Sequence, residues 1–121
     1  MKLSSDTRDS VQRRALALVI PVKHARYLAD LEPRVGGVLF GAAQRLAAAI
    51  RRSGLKAEGI NLLLADGEAA GQEVFHVHLH ALPRFQDDGF GHRFPADYGR
   101  RPPREDLDAT AVTIRTSLRA A

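Results

Sequence analysis

Three histidines alternate with apolar residues in a single stretch, VFHVHLHALPR at positions 74–84. His76, His78 and His80 occupy every second position. Strict alternation is the period of a β-strand, whose successive side chains point to opposite faces. The stretch therefore predicts a strand with three imidazoles on one face and aliphatic side chains packed into a core on the other. The whole chain has five histidines, so three in one segment require an explanation.

Three explanations of the alternating histidines are open. The first is a half-exposed polar strand face on which histidines sit by chance. The second is a metal site, because imidazole is the commonest metal ligand, with Glu73 and Asp66 as the nearest carboxylates and no cysteine in the chain. The third is nucleophilic attack by an imidazole on phosphorus, with the neighbouring histidines as acid and phosphate ligand. The residues just upstream of the histidines decide between the metal site and the attack on phosphorus.

A turn rich in small residues, ADGEAAGQ at positions 65–72, precedes the histidines. Glycines allow close backbone approach, and the N–H groups of a turn can form an anion-binding nest. Gln72 adds a neutral amide that can donate to a phosphate oxygen without ligating a metal. Gly71 and Gln72 are therefore predicted to bind phosphate.

The combined motif, GQEVFHVHLHALPR, resembles the signature of the histidine triad family, in which Gly-Gln precedes His-x-His-x-His with apolar residues at x. The resemblance extends to positions 17–24, 59–64 and 90–91 and covers most of residues 15–95. It implies an α+β fold: an antiparallel sheet with one long helix packed on it and a C-terminal helix. It also implies a homodimer.

The resemblance implies a hydrolase or nucleotidyl transferase that acts on nucleoside phosphoramidates or dinucleoside polyphosphates. His78 would attack the α-phosphorus, and water would then cleave the nucleotidyl-histidine intermediate. The main-chain carbonyl of His76 would fix the tautomer of His78, and the side chain of His76 would have an orienting role. His80 would hold the phosphate and help to protonate the leaving group, while Gln72 and Gly71 would bind the phosphate oxygens.

The chain departs from the family pattern in four places. Residues 1–14 are polar and predict an arm or a short helix, where members usually have a helix and a β-hairpin that form part of the nucleotide pocket; the chain is expected to lack both. Leu16 replaces a frequent histidine, and positions 65–66 replace a frequent asparagine. Glu73 replaces a small hydroxyl residue and is expected to face solvent. The alternative function is therefore a non-catalytic nucleotide-binding or interaction protein.

Composition limits the remaining possibilities. The chain has 121 residues, no cysteine and a net charge of +4. We expect a polar arm at 1–14, one HIT-like domain at 15–95, and a C-terminal loop and helix at 96–121. The lack of cysteine excludes disulfides and fits a cytoplasmic location. No basic patch with interleaved aromatics and no apolar run of about 20 residues is present, so neither nucleic acid nor membrane is an expected partner. The expected partner is a nucleotide or nucleotide conjugate, with no cofactor and no resident metal.

Hydrophobic periodicity predicts the other elements of the chain. Two further strands and two helices are expected, at 16–20, 59–65, 35–50 and 107–118. The strand at 59–65 should be the antiparallel neighbour of the histidine strand, because the loop between them is too short for a crossover helix. Pro83 is expected to end the histidine strand. His24 is expected on the surface or at the start of a helical turn, with no catalytic part.

Overall fold

A computed structural model of the protein describes residues 2–4, 16–91 and 93–120. The chain divides into two compact units, residues 1–88 and 89–121. The first unit holds an antiparallel sheet and one long helix, and the second holds a C-terminal helix. The predicted α+β class is therefore confirmed, whereas the three-segment division of the chain stays a prediction.

The sheet has four antiparallel strands in the order β1-β2-β4-β3, namely β1 Lys2–Ser4, β2 Leu16–Val19, β3 Gly59–Leu63 and β4 Leu79–Arg84. β4 pairs with β2 on one side and with β3 on the other, with Leu18 and Leu63 both opposite His80. β1 pairs with β2 and falls inside the predicted polar arm. A strand, rather than an arm or a helix, therefore forms there. The remainder of the predicted arm lies outside the described residues.

The long helix, α1, spans Pro33–Arg52. Pro33 is at the first helical position, where its fixed φ and missing N–H are tolerated. Four α1 residues are buried at positions that recur on one face, Leu39, Ala43, Leu46 and Ile50. This face packs against β2 and β4. The core is completed by Ala17, Val19, Ala25, Val77, Leu79 and Ala81.

Substitution by alanine should change the free energy of unfolding in opposite directions at Gly41, inside α1, and at Gly54, beyond its C-terminus. Gly41 is inside the helix with no atom within 4 Å of an added Cβ, whereas Gly54, just beyond the helix, has φ +78°. We expect Gly41→Ala to raise the free energy of unfolding by about 0.5–1 kcal/mol through helix propensity. Gly54→Ala should lower it by about 1–2 kcal/mol because a Cβ is strained at positive φ. Chemical denaturation tests both, and changes of the same sign would contradict the assigned helix end.

The histidine segment differs from the predicted strand in extent. Only Leu79–Arg84 forms ladder pairs, and residues 74–78 lie outside the sheet. β2, the partner strand, ends at Val19, just before Pro21, which has no N–H to donate. Pro83 does not end β4 as predicted; it pairs with Ile60 of β3, beyond the part of β4 that pairs with β2. A strand that is paired on one side only can tolerate a proline, and this part of β4 is paired only with β3.

The C-terminal helix, α2, spans Arg104–Ala120 and confirms the helix predicted around 107–118. Its residues are exposed throughout. Neither α1 nor α2, nor any other helix in the described ranges, combines the length and the apolar content that a membrane span requires.

Candidate functional site

A pocket of about 520 Å³ lies at the start of β4 and is lined by Leu18, Ile20, Gly71, Glu73, Val74, His76, His78 and His80. The three imidazoles therefore line one pocket, although only His80 belongs to β4. Val77, Leu79 and Ala81 alternate with them and are buried in the core. Although residues 74–76 are bent, the alternation of half-buried and buried residues continues back from β4 to His76, and this places the three rings together.

The ring of His78 is held in one tautomer by the main chain. Its Nδ1 lies 2.7 Å from the carbonyl oxygen of His76. A carbonyl can only accept, so Nδ1 carries the proton and Nε2 carries the lone pair. His78 is thereby prepared to act as a nucleophile through Nε2.

The ring of His76 is fixed by the segment that follows β2. Its Nε2 lies 2.9 Å from the carbonyl of Pro21, and its Nδ1 accepts from the N–H of Ala25 at 3.2 Å. The ring of His24 stacks on it, with centroids 5.1 Å apart and planes 20° apart. Both nitrogens of His76 are thus used internally. This arrangement suits orientation of the His76 main chain, whose carbonyl fixes His78.

His80 sits beside His78, with ring centroids 4.9 Å apart and planes at 67°. Desolvation by burial, and secondarily the nearby His78, lower the pKa of His80 below its ordinary 6.5. At neutral pH His80 is therefore uncharged. His80 therefore places no positive charge beside the ring of His78.

The lowered pKa of His80 predicts a loss of stability in acid. As the pH falls through 6.5 the unfolded chain takes up a proton at this residue, while the folded chain resists it until its own lower pKa is reached. The unfolded state then binds more protons, so the free energy of unfolding should fall as pH is lowered. Denaturant titrations at about pH 7.5, 6.5 and 5.5 should show a smaller fall for His80→Asn than for the wild type. An equal or steeper fall in the variant would contradict the pKa shift.

Gln72 is arranged differently from its predicted contact with phosphate. It is 3% exposed and is absent from the pocket lining. Its Oε1 accepts from the N–H of Gly67 at 2.8 Å, while Nε2 donates to the carbonyls of Arg26 and Val74 at 2.8 and 3.2 Å. Both amide hydrogens are used, so a direct phosphate contact would require one of these bonds to break. The side chain instead joins the turn before the histidines to the segment after β2.

The main-chain N–H groups that are available to an anion differ from the predicted one, which was that of Gly71. Gly71 has φ +87°, and its N–H donates to the carbonyl of Glu68 at 2.9 Å. In the part of the chain that the structure describes, the N–H groups of Glu73 and Val74 make no hydrogen bond. Both residues line the pocket, so these two amides are better placed than that of Gly71 to receive an anion.

The metal explanation of the histidines has little support in this geometry. No group of three histidine, aspartate or glutamate side chains within the described ranges is arranged to hold an ion. Asp66, one of the two carboxylates considered, accepts from the N–H of Leu28 at 2.9 Å. His76 uses both ring nitrogens within the protein. The remaining candidates in the pocket, His78, His80 and Glu73, are not arranged as a group that could hold an ion.

A second concavity of about 590 Å³ lies between the end of β2 and α1. Its lining is apolar apart from Arg45, and it contains no imidazole. Although it is slightly the larger of the two, it offers no group that could attack or protonate a substrate. The imidazole pocket is therefore the candidate site.

Comparison with known proteins agrees with the motif and the fold. The family model described as HIT domain matches residues 7–87. The protein called Protein hit of Bacillus subtilis is 40% identical over 102 residues, which are 84% of this chain and 69% of that protein. An uncharacterized HIT-like protein of Borreliella burgdorferi is 39% identical over 75 residues, but the chain spans only 54% of its length. The crystal structure of a HIT family protein from Bacillus anthracis superposes with a TM-score of 0.74 at 31% identity, over 97% of this chain and 89% of that one.

Several parts of the site are main-chain atoms that no residue pattern specifies. The carbonyls of Pro21 and Arg26 and the N–H of Ala25 hold His76 and Gln72. His24 was given no catalytic part, yet its ring covers one face of His76. Little in the sequence indicated this contact, since only the position of His24, after a strand end and near a proline, pointed to it.

Proposed function

The chain belongs to the histidine triad (HIT domain) family, and from this premise we propose that it is a nucleotide-binding hydrolase that cleaves nucleotide conjugates at the α-phosphorus. The observation that carries the proposal is the hydrogen bond from Nδ1 of His78 to the carbonyl of His76, 2.7 Å long. In the neutral ring this bond places the lone pair on Nε2, in a pocket that also contains His80. A neutral, oriented imidazole is the nucleophile that such a reaction needs.

In the first half of the reaction, Nε2 of His78 attacks the α-phosphorus and a phosphorus–nitrogen bond forms. The bond between phosphorus and the leaving group breaks, and the leaving group takes the bonding electron pair together with a proton. The proton comes from water, either directly or through His80, which takes up one proton as it releases another; its ring centroid is 4.9 Å from that of His78. The positive charge that develops on His78 is stabilised at Nδ1–H by the His76 carbonyl.

In the second half, water attacks the same phosphorus from the face that the leaving group has left. The bond to Nε2 of His78 breaks, and the imidazole recovers its lone pair. The products are a nucleoside monophosphate and a free enzyme, with one water consumed per turnover. Phosphate oxygens are best placed to meet the free N–H groups of Glu73 and Val74, while Leu18 and Ile20 supply an apolar wall.

Two assays test the proposed function. Purified protein is incubated with adenosine 5′-phosphoramidate and, separately, with diadenosine tetraphosphate, and product is followed by chromatography. We expect turnover with release of AMP from at least one of them. Saturable binding of AMP without release from either substrate would support the alternative, a non-catalytic nucleotide-binding protein.

A further inference from the structure

The imidazole pocket has an unusual charge balance for a site that would accept a phosphate chain. Among its described lining residues, Glu73 is the one acidic side chain. The side chain of Glu73 is exposed at the pocket. It forms no ion pair with the described residues. No lysine or arginine contributes to the described lining.

Glu73 lines the same pocket as His78 and His80. Its N–H is one of the two free donors available to the phosphate, and it is one residue from Gln72, whose side chain fixes the turn. A leaving group held in this pocket therefore shares it with a carboxylate. Charges of like sign in one pocket repel each other, and salt screens this repulsion because Glu73 is exposed.

We propose that Glu73 is a specificity-determining residue that selects cationic amine leaving groups over polyphosphate leaving groups. The inference rests on the proposed function, since it names the substrate class of the same site. The preferred substrate class is a nucleoside 5′-phosphoramidate whose amine carries a second, protonated amino group. Dinucleoside polyphosphates, whose leaving group carries several negative charges, are disfavoured.

The step balances as a displacement at phosphorus. Nε2 of His78 forms a bond to phosphorus, and the phosphorus–nitrogen bond of the phosphoramidate breaks. The departing nitrogen keeps the electron pair and takes a proton, which gives a free amine. Water then releases AMP from His78. The distal ammonium remains intact throughout, and the carboxylate of Glu73 attracts it as the substrate enters and the amine leaves.

The test compares three substrates that share the adenosine 5′-phosphoryl group. Their leaving groups are a diamine with one free ammonium, a neutral alkylamine and the triphosphate-linked nucleoside of diadenosine tetraphosphate. Values of kcat/KM are measured at low salt for the wild type and for Glu73→Gln. The values for the diamine substrate and for diadenosine tetraphosphate are each divided by the value for the neutral alkylamine substrate. Glu68→Gln is the matched control, since it removes a carboxylate from the same loop outside the pocket lining.

For the wild type we expect the diamine substrate to be preferred over the tetraphosphate. Glu73→Gln should lower this preference about tenfold, which corresponds to about 1.4 kcal/mol. Glu68→Gln should leave it within about twofold, and added salt should weaken it in the wild type because salt screens charge. A preference for the tetraphosphate in the wild type, or a preference unchanged by Glu73→Gln, would overturn the inference.

A wild type that turns over none of the three substrates would contradict the proposed function and leave the charge selection to be decided by binding. Calorimetric dissociation constants for AMP and ATP are then compared. Glu73→Gln should strengthen the binding of ATP relative to AMP by about fivefold to tenfold. An unchanged ratio of the two constants would refute the role of Glu73 on its own.

Discussion

His78→Asn should lower kcat/KM for adenosine 5′-phosphoramidate by at least about 1,000-fold, because removal of a covalent nucleophile eliminates the two-step route. Asparagine retains an N–H donor that can reach the carbonyl of His76, which now accepts from Nδ1 at 2.7 Å. The fold should therefore be preserved while the nucleophilic lone pair is lost. Steady-state kinetics measure the effect, and circular dichroism and thermal unfolding establish that the variant is folded.

A second variant separates loss of the nucleophile from disturbance of the pocket. His78→Gly leaves a space the size of an imidazole among His76, His80 and the apolar wall. Free imidazole added to this variant should restore part of the turnover in proportion to its concentration. A His78→Asn protein that retains turnover within tenfold of the wild type would show that another group attacks phosphorus.

Gln72→Met should lower the free energy of unfolding by about 2–4 kcal/mol, because it leaves polar main-chain groups without their partners. Methionine has nearly the same shape but replaces none of the three hydrogen bonds that the buried amide makes. Turnover should fall as well, since the bonds to Arg26 and Val74 tie the two segments that enclose His76. Urea denaturation measures the first effect and kcat the second.

Gln44→Met is the matched control for this prediction. Gln44 is exposed on α1, and glutamine and methionine have similar helix propensities. The free energy of unfolding of the Gln44→Met protein should therefore differ from that of the wild type by less than about 0.5 kcal/mol. If Gln72→Met matched the control in stability and only weakened nucleotide binding, Gln72 would be a phosphate ligand, as the sequence predicted, and the arrangement described above would be wrong.

The placement of the three histidines was predictable because it depends on a local property. An extended chain sends alternate side chains to opposite sides whether or not a partner strand is present. His76 and His78 therefore share a pocket with His80, even though the ladder begins at Leu79. The burial of α1 was predictable for the same reason, since a helical period places one face against the sheet.

The role of Gln72 could not be predicted in this way. Its neighbours in sequence suggested an anion-binding turn, but its orientation depends on the carbonyl of Arg26, which is 46 residues away. The amide of Gln72 is buried and would be costly without a partner, and only the folded chain brings the Arg26 carbonyl within its reach. Tertiary hydrogen bonds of this kind leave no periodic trace in a sequence.

The strand at Lys2–Ser4 shows a further limit of sequence reading. Three residues are too few to produce an alternating pattern, and their polar surroundings favoured an arm. Pairing with β2 supplies what the local sequence does not, since main-chain hydrogen bonds stabilise any extended segment beside an open strand edge. The prediction for Pro83 was wrong in the opposite sense, because a strand end was expected where β4 in fact continues. The effect of a proline on a strand depends on which side of the strand is paired.

The most direct test of the account is to identify the residue that carries the nucleotide during turnover. Protein mixed with radiolabelled adenosine 5′-phosphoramidate is quenched within milliseconds in alkaline denaturant, since phosphorus–nitrogen bonds hydrolyse in acid. Peptide mapping by mass spectrometry then locates the adduct. We predict an adenylyl group on His78 that accumulates and decays at rates consistent with turnover. An adduct on His76 or His80, or turnover without any covalent adduct, would contradict the account.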